Sequence, residues 1–359
     1  MKQILFCLMT FMSISVYGQE NQDKTLFVVD SIPVFGNINE EEGTLSENTV
    51  DHLNVITNKA DFGEYKIYDF DKIIFVFTKE YTKRSEEIRR IPTTKRMYQK
   101  EGKWCLIGSS TPYTGRVIDY YLNGIKERDG FLKKGLVDGL TNAYYKDGGL
   151  KFYRNYSNGI ADGESGQFFP NGKLQQKGVF KNGKEDGFWQ MWYSTGAIKL
   201  SVEFKSGKPK LSKDAILVNS FVEKGQEAFE TGDYAKAVVY YTKAVELNSN
   251  LTENYFYRGT AYLYDFKFDE AVLDFDKAIS LEPLYMEAFG NRAFALIRKY
   301  EFKDSRVLSQ NSEVSIYPAK ENIEIPADEK VKICSDLKRC IELGCTKQKI
   351  IDAMKKYCE

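Results

Sequence analysis

The sequence predicts a multidomain α+β protein: an antiparallel β-hairpin meander, then an α-helical solenoid, with a small α/β unit ahead of both. Two internal periods carry the prediction. From Tyr113 to Gly207 one pattern is written four times at a spacing of 24 residues, with no insertion or deletion. After Lys213 the spacing becomes 34 residues, and the apolar pattern changes from strand-like to helical. Fixed periods of about 20 to 50 residues mark stacked supersecondary units, each too small to bury its own face. The expected order is a cleaved leader at 1–18, a small unit at 19–80, a linker at 81–98, hairpin repeats at 99–210 and helical repeats at 214–359.

Lys2, the apolar run from Ile4 to Val16 and Gly18 at a cleavage point read as a secretory signal, so the mature chain is expected to begin near Gln19. The run is too short to span a bilayer. Cys7 lies inside it, which argues against a lipid anchor. Export to the periplasm, the outer-membrane periphery or the medium is the expected location. Leu26 to Asp30 and Ile73 to Thr78 are strand-like apolar runs, and Thr44-Leu-Ser-Glu47 is a capping box expected to open a helix through Ile56. Val28-Val-Asp-Ser-Ile-Pro33, that helix and the closing run to Lys79 resemble part of the plug domain of TonB-dependent outer-membrane receptors. Ser31 replaces the glycine of that pattern and no barrel-length sequence follows, so the resemblance implies an envelope setting more than transport.

Residues 81–98 are charged and lead to a strand around Trp104, which is expected to cover the edge of the meander. In each hairpin repeat an aromatic pair precedes a glycine turn: Tyr120-Tyr121, Tyr144-Tyr145, Phe168-Phe169 and Trp192-Tyr193. The turns Asn123-Gly124, Asp147-Gly148, Asn171-Gly172 and Thr195-Gly196 predict two-residue loops, because Asn-Gly and Asp-Gly favour left-handed backbone angles. Second glycine turns, such as Asn158-Gly159 and Asn182-Gly183, pass the chain to the next hairpin. Neighbouring strand residues face opposite sides, so each pair sends one ring to each face. The ladder Tyr121, Tyr145, Phe169 and Tyr193 is then either packing or a stacking surface for cell-wall glycan or lipid. Over Gln99 to Lys210 the pattern G-x-x-x-x-[YFW]-[YF]-x-x-G-x-[LI] resembles the bacterial MORN-variant repeats of the YwqK-like antitoxin family. That resemblance implies an interaction module, and its label offers an antitoxin-like neutraliser as a further alternative.

In the helical part Gly225 and Gly259, Ala237 and Ala271, Tyr241 and Phe275, and Ala244 and Ala278 recur in register, with Gly232-Asp-Tyr234 and Pro283 completing the pattern. These residues resemble tetratricopeptide (TPR) repeats. A third copy begins at Met286 with Ala293 at the glycine site. Its second helix is delayed by the polar stretch Asp304 to Pro326 and is expected at Asp328 to Leu343, where Ile333, Leu337 and Cys340 take the small and bulky sites. Lys347 to Tyr357 supplies a covering helix. The resemblance implies a right-handed stack with a peptide-binding groove formed by Asn219, Val222, Gln226, Phe229, Glu253, Phe256, Thr260, Tyr264, Phe294, Ile297 and Arg298. The family's carboxylate clamp is not matched, since Val222 and Glu287 stand at its basic positions. An apolar peptide, a neighbouring domain or the chain's own sheet could occupy such a groove.

Chemistry is sparse. Fifty-one basic and 51 acidic residues give no net charge, and so no electrostatic reason to bind nucleic acid or an anionic membrane. The single histidine, His52, is expected on the polar side of the short N-terminal helix, which leaves no nucleophile-base triad and no histidine-rich zinc site. Glu185-Asp186 reads as an ordinary turn rather than an acid-base pair. No catalytic residue, metal or cofactor is expected. Cys105, Cys334, Cys340, Cys345 and Cys358 remain after leader removal. The antiparallel C-terminal helices favour a Cys334–Cys358 disulfide, with a four-cysteine zinc site as the sharper alternative. The expected function is that of an exported, non-enzymatic protein-interaction scaffold.

Overall fold

The computed structural model describes residues 24–34, 45–46, 48–67, 69–303, 309–310, 315–316 and 323–359. The expected leader, Thr44 and Glu47 of the capping box, and most of the stretch 304–322 lie outside the described residues. The chain divides into two compact units, Met1–Gly172 with Lys177–Glu185, and Lys173–Gln176 with Asp186–Glu359.

The first unit opens with a four-stranded mixed sheet of β1 (Thr25–Val29), β2 (Ile32–Val34), β3 (Val50–Ile56) and β4 (Lys72–Thr78), in the order β2-β1-β4-β3. Strand β1 runs parallel to β4, and the other pairs are antiparallel. Both faces of this sheet are covered. Leu26, Val28 and Ile73 pack with Phe62 and Tyr65 on one side, and Val29, Val34, Val50, Ile74 and Val76 pack with Leu122 on the other. That double cover is why β4 reads as a continuous apolar run rather than an alternating one. Val50–Ile56, expected as a helix, is a strand. Val55 and Ile56 are β-branched and pair with Ile74 and Ile73 of β4, and an apolar edge that offers a ladder of backbone hydrogen bonds overrides a local capping signal. His52 therefore sits on a strand, stacked 4.6 Å from the Phe77 ring and 2.8 Å from Asp51.

One-turn helices Lys79–Thr82 and Glu86–Arg89 follow, capped by Thr78 and Ser85. The hairpin β5 (Met97–Lys100) and β6 (Lys103–Leu106) then places Trp104 against the first repeat. Its N–H donates to Gly135 O and its carbonyl accepts from Tyr113, both at 2.9 Å. The repeats form a large antiparallel sheet region. In the first unit β7 (Gly115–Tyr120), β8 (Lys126–Lys133), β10 (Gly139–Tyr144), β11 (Leu150–Ser157) and β12 (Ile160–Phe168) neighbour one another in that order, with β9 (Leu136–Val137) beside β8. Strand β13 spans Leu174–Lys181. In the second unit β14 (Lys184–Trp192), β15 (Ile198–Lys205) and β16 (Lys208–Lys210) are likewise sequential.

The turns after the aromatic pairs differ from expectation. After each aromatic pair the loop has three residues: the Tyr121 N–H donates to Ile125 O at 2.9 Å, and only Gly124, with φ of +82°, is left-handed. Asn123 and Asp147 are there to accept from the N–H two residues on, at 3.0 and 2.9 Å, which is the work of an Asx turn. The left-handed pairs are at the second turns. Asn158-Gly159 has φ of +48° and +83°, and Asn182-Gly183 has +50° and +78°, as a two-residue primed turn requires.

The second unit continues with α1 (Lys213–Glu230), α2 (Tyr234–Leu247), α3 (Thr252–Tyr264), α4 (Phe268–Leu281), α5 (Met286–Glu301), α6 (Ala327–Glu342) and α7 (Gln348–Cys358). A Cβ on Gly225 would lie 2.5 Å from the Tyr241 ring, and one on Gly259 would lie 3.0 Å from the Phe275 ring, so α1 and α3 approach their partners closely. In the third pair Ala293 occupies the glycine site, and the facing aromatic is replaced by Leu337 in the same core cluster. Arg258 makes a bidentate pair with Asp274, at 2.7 Å for both bonds, and 34 residues on Arg292 makes the same pair with Asp336 at 2.8 and 2.5 Å. Cys334 and Cys358 are joined by a disulfide between α6 and α7, with Cα atoms 5.6 Å apart. Two members of the alternative zinc set are thereby bonded to each other. Cys105, Cys340 and Cys345 are free and buried.

Candidate peptide-binding groove

The first helices of the three pairs, α1, α3 and α5, carry the expected groove residues, and the structure sorts them into three groups. Asn219, Gln226 and Tyr264 are exposed. Val222, Phe229, Glu253, Phe256, Thr260, Phe294 and Arg298 are half-buried. Ile297 is not a groove residue: at 2 % exposure it packs with Phe289, Leu296 and Leu337 in the core, because α5 is covered by both α6 and α7.

The open part of the surface is an aromatic cluster. Phe229 lies 5.1 Å from Tyr234 and 5.2 Å from Tyr264, and the two tyrosines are 5.3 Å apart. Edge-on rings at these separations attract one another and hold an apolar surface in a fixed shape. Gln226 extends its rim, donating to Glu230 at 2.8 Å. Tyr234 was not among the expected groove residues. Its signal was present in the Gly232-Asp-Tyr234 turn motif, which reads as a helix stop rather than as a surface.

Other expected positions are committed within the unit. Phe256 contacts Tyr285 at 5.0 Å and Phe275 at 6.0 Å. Thr260 donates to Phe256 O at 2.8 Å and accepts from Asn291 at 3.2 Å. The Phe294 ring has the Lys349 ammonium 5.1 Å away. Glu253 forms an ion pair with Lys199 of β15, so the last hairpin occupies this end of the groove. Beside it burial, reinforced by Glu253, raises the Tyr285 hydroxyl far above its ordinary value, and burial pushes Tyr241 up to about 12.

The aromatic ladder is structural. Tyr121 and Tyr193 are buried, and Tyr145 and Phe169 are half-buried, as the packing alternative requires and the open stacking surface does not. Each hydroxyl reaches into the next repeat. Tyr121 donates to Tyr144 O at 2.8 Å, and Tyr145 donates to Phe168 O at 2.6 Å. Tyr193 has no further hairpin to meet and uses the helices instead. It donates to Asn250 O at 2.5 Å and accepts from the Thr252 N–H at 3.0 Å, capping α3, while Ser194 N–H donates to Glu282 at 2.9 Å. Nothing in the spacing of the sequence marks this second role of Tyr193. Apolar side chains that do face solvent on the sheet are others, including Phe131, Leu140 and Phe188, the last 76 % exposed.

No group of three histidine, cysteine or acidic residues that could hold a metal occurs among the described residues, and no described helix is long and apolar enough to cross a membrane.

The family model of the tetratricopeptide repeat matches residues 218–251, which cover most of α1 and all of α2. The UDP-N-acetylglucosamine–peptide N-acetylglucosaminyltransferase of Giardia intestinalis is 43% identical over 56 residues, or 16% of this chain and 4% of that protein. The Protein SGT1 homolog of Oryza sativa subsp. japonica is 32% identical over 83 residues, 23% of each chain. The matched segments thus span a small part of both relatives. Among solved structures, the second TPR domain of the human RPAP3 protein, in complex with an HSP70 peptide, is 18% identical, with a TM-score of 0.31, over 41% of this chain and 98% of that one. The helical region therefore carries a tetratricopeptide repeat at 218–251.

Proposed function

We propose that this chain is an exported, non-enzymatic interaction protein of a bacterial cell envelope that holds a peptide segment of a partner against the free end of its helical groove. The observation that carries the reading is the open cluster of Phe229, Tyr234 and Tyr264 beside Gln226, two of its members lying within the matched tetratricopeptide segment. A groove end of this kind suits one or two apolar or aromatic side chains of an extended peptide. It offers no basic pair for a terminal carboxylate, because Val222 and Glu287 stand at the clamp positions. The last hairpin, of MORN-variant kind in this reading, closes the other end through Lys199 and Glu253 and sets which length of groove stays open. The envelope setting rests on the leader-like residues 1–18 and fits the Cys334–Cys358 disulfide, since disulfides persist in oxidising compartments.

Affinity capture from solubilised envelope with the full chain and with a Tyr264→Ala variant tests the groove. A discrete protein retained by the first and lost from the second is the expected result, and equal retention by both would move the binding surface elsewhere. Cell fractionation with thiol labelling tests the setting. Cys334 and Cys358 are expected to resist labelling without reductant in the exported fraction, and a chain found reduced in the cytoplasm would refute export.

A further inference from the structure

The first unit holds a cavity of about 370 Å³ that none of the repeat patterns accounts for. Its wall comes from four places: the β1–β2 turn at Asp30 and Ser31, the one-turn helices and the chain after them, the end of β6 at Leu106, and strand β7. Four arginines, Arg84, Arg89, Arg90 and Arg96, line it with a single carboxylate, Asp30. Arg90 is paired with Glu86 at 3.1 Å, and in a chain whose charges balance overall, 51 against 51, the remaining three are still a local concentration of positive charge.

Two of the guanidinium groups are fixed in advance. Arg84 donates to Gly124 O at 2.6 Å and lies 3.5 Å over the Tyr120 ring. Arg89 donates to Thr82 O at 2.7 Å and to Tyr81 O at 3.3 Å. Both stand over the same ring, Tyr81, at 5.3 and 4.9 Å. Two like charges gathered around one ring repel one another unless an anion lies between them. Asp30, which also accepts from the Thr78 N–H at 2.8 Å and the Thr78 hydroxyl at 2.6 Å, forms an ion pair with Arg84 at 3.7 Å and so offsets one of the two charges, while the bonds of Arg89 run to backbone carbonyls. The opposite wall is apolar, with Ile32, Ile91, Leu106 and Ile118. A planar guanidinium presents paired donors that match the two oxygens of a carboxylate or phosphate.

We propose that this cavity binds a small organic oxoanion, its carboxylate or phosphate head on the arginines and its apolar body against the isoleucine wall. The size lies at the small end of ligand cavities, and an apolar wall with a few convergent polar groups is their usual make-up. The site is independent of the helical groove.

Calorimetric titration of the full chain at constant ionic strength, with phenyl phosphate, benzoate, inorganic phosphate and acetate as probes, tests it. Saturable binding of phenyl phosphate or benzoate at one site, tighter than its inorganic phosphate or acetate counterpart, is expected, and the tighter of the two identifies the head. Arg89→Gln and Arg96→Gln should each weaken binding about tenfold, the scale of one charge-assisted hydrogen bond lost. Arg84→Lys keeps the charge and loses the fork, and should weaken binding while leaving the circular dichroism spectrum unchanged. No saturation with any probe, or equal affinity in all the variants, would overturn the proposal. Equal affinity for the large and small anions would overturn the role of the apolar wall.

Discussion

Glycine recurs at fixed intervals in both the hairpin and the helical repeats, for opposite physical reasons. At Gly172 the backbone has φ of +78° and a Cβ would meet nothing within 4 Å, so the angle alone selects glycine. At Gly225 the space selects it, because the Tyr241 ring fills the volume a Cβ would take. The difference bears on what each repeat tolerates. A fit between side chains of two rigid helices survives extra residues elsewhere. Ala271 and Ile333, equivalent sites in successive pairs, are 62 positions apart, 28 more than the 34-residue period, yet Ile333 and Leu337 are fully buried. A strand pair has no such freedom, since a slip of one residue turns every side chain to the other face. The hairpin repeats accordingly carry no insertion.

The comparison breaks most readily at the helix-to-helix ion pairs. Arg258→Ala would leave Asp274, 5 % exposed, as a buried charge without its partner. A cost of about 3 to 5 kcal/mol is expected from urea denaturation. A loss under about 1 kcal/mol, the range of exposed pairs, would show that water reaches the site. Next in size is Gly225→Ala, which forces a methyl against a packed ring and should cost about 1 to 3 kcal/mol. The third pair shows the remedy, alanine facing leucine, so adding Tyr241→Leu should make the double variant less destabilised than the sum of the singles. A coupling of about 0.5 to 3 kcal/mol is the expected scale, and strict additivity would mean that Gly225 is not held by space. Gly172→Ala should cost about 1 to 2 kcal/mol through its backbone angle alone. Gly172→Asn should cost less, because asparagine tolerates that region, and the reverse order would implicate a contact rather than the angle.

What could be read in the sequence follows the same division. Both periods, the turn positions and the register of the late third pair were legible, because a repeated constraint is written several times and each copy checks the others. The helix expected at Val50–Ile56 was not, since a capping box is local and the partner strand β4 that overrides it begins 16 residues beyond Ile56. Nor was the fate of the ladder legible. Strand alternation puts Tyr121 and Tyr193 on a face, but which face is covered depends on groups far along the chain, such as Asn250 for Tyr193. The groove residues came by register, and Ile297 failed because the last helices wrap α5 in a way no repeat position encodes. The arginine cavity left no periodic trace at all, since Asp30, the helices around Arg84 and Ile118 meet only in the fold.

Acid should separate the two kinds of repeat by sign. In the hairpin sheet burial pushes the Asp129 carboxyl up, but hydrogen bonds from Arg116 at 3.0 and 2.7 Å and from Lys126 at 2.9 Å outweigh it and hold the group below its ordinary value. A carboxylate depressed in the fold contributes stability that is present above its unfolded pKa of about 3.9 and is lost as pH falls through the folded value. In the helical unit burial pushes Asp274 and Asp336 up, with Arg258 and Arg292 offsetting part of the rise. For these the sign reverses: their contribution is present below the unfolded pKa and is lost as pH rises through the folded one. The urea midpoint of the first unit, followed by Trp104 emission in a chain with Trp189 and Trp192 replaced by phenylalanine, should therefore fall between about pH 5 and 2, and fall less in Asp129→Asn. The effect is the smallest considered, because Arg116 is half exposed and water screens its charge. Equal slopes in the two chains would show that Asp129 is not held by its basic partners. The Arg258→Ala penalty should shrink as pH falls while still above about 3.9, since loss of Arg258 lifts the already raised Asp274 further and protonation discharges the carboxylate that the variant leaves alone, and a penalty independent of pH would place its origin in lost packing of the arginine stem instead.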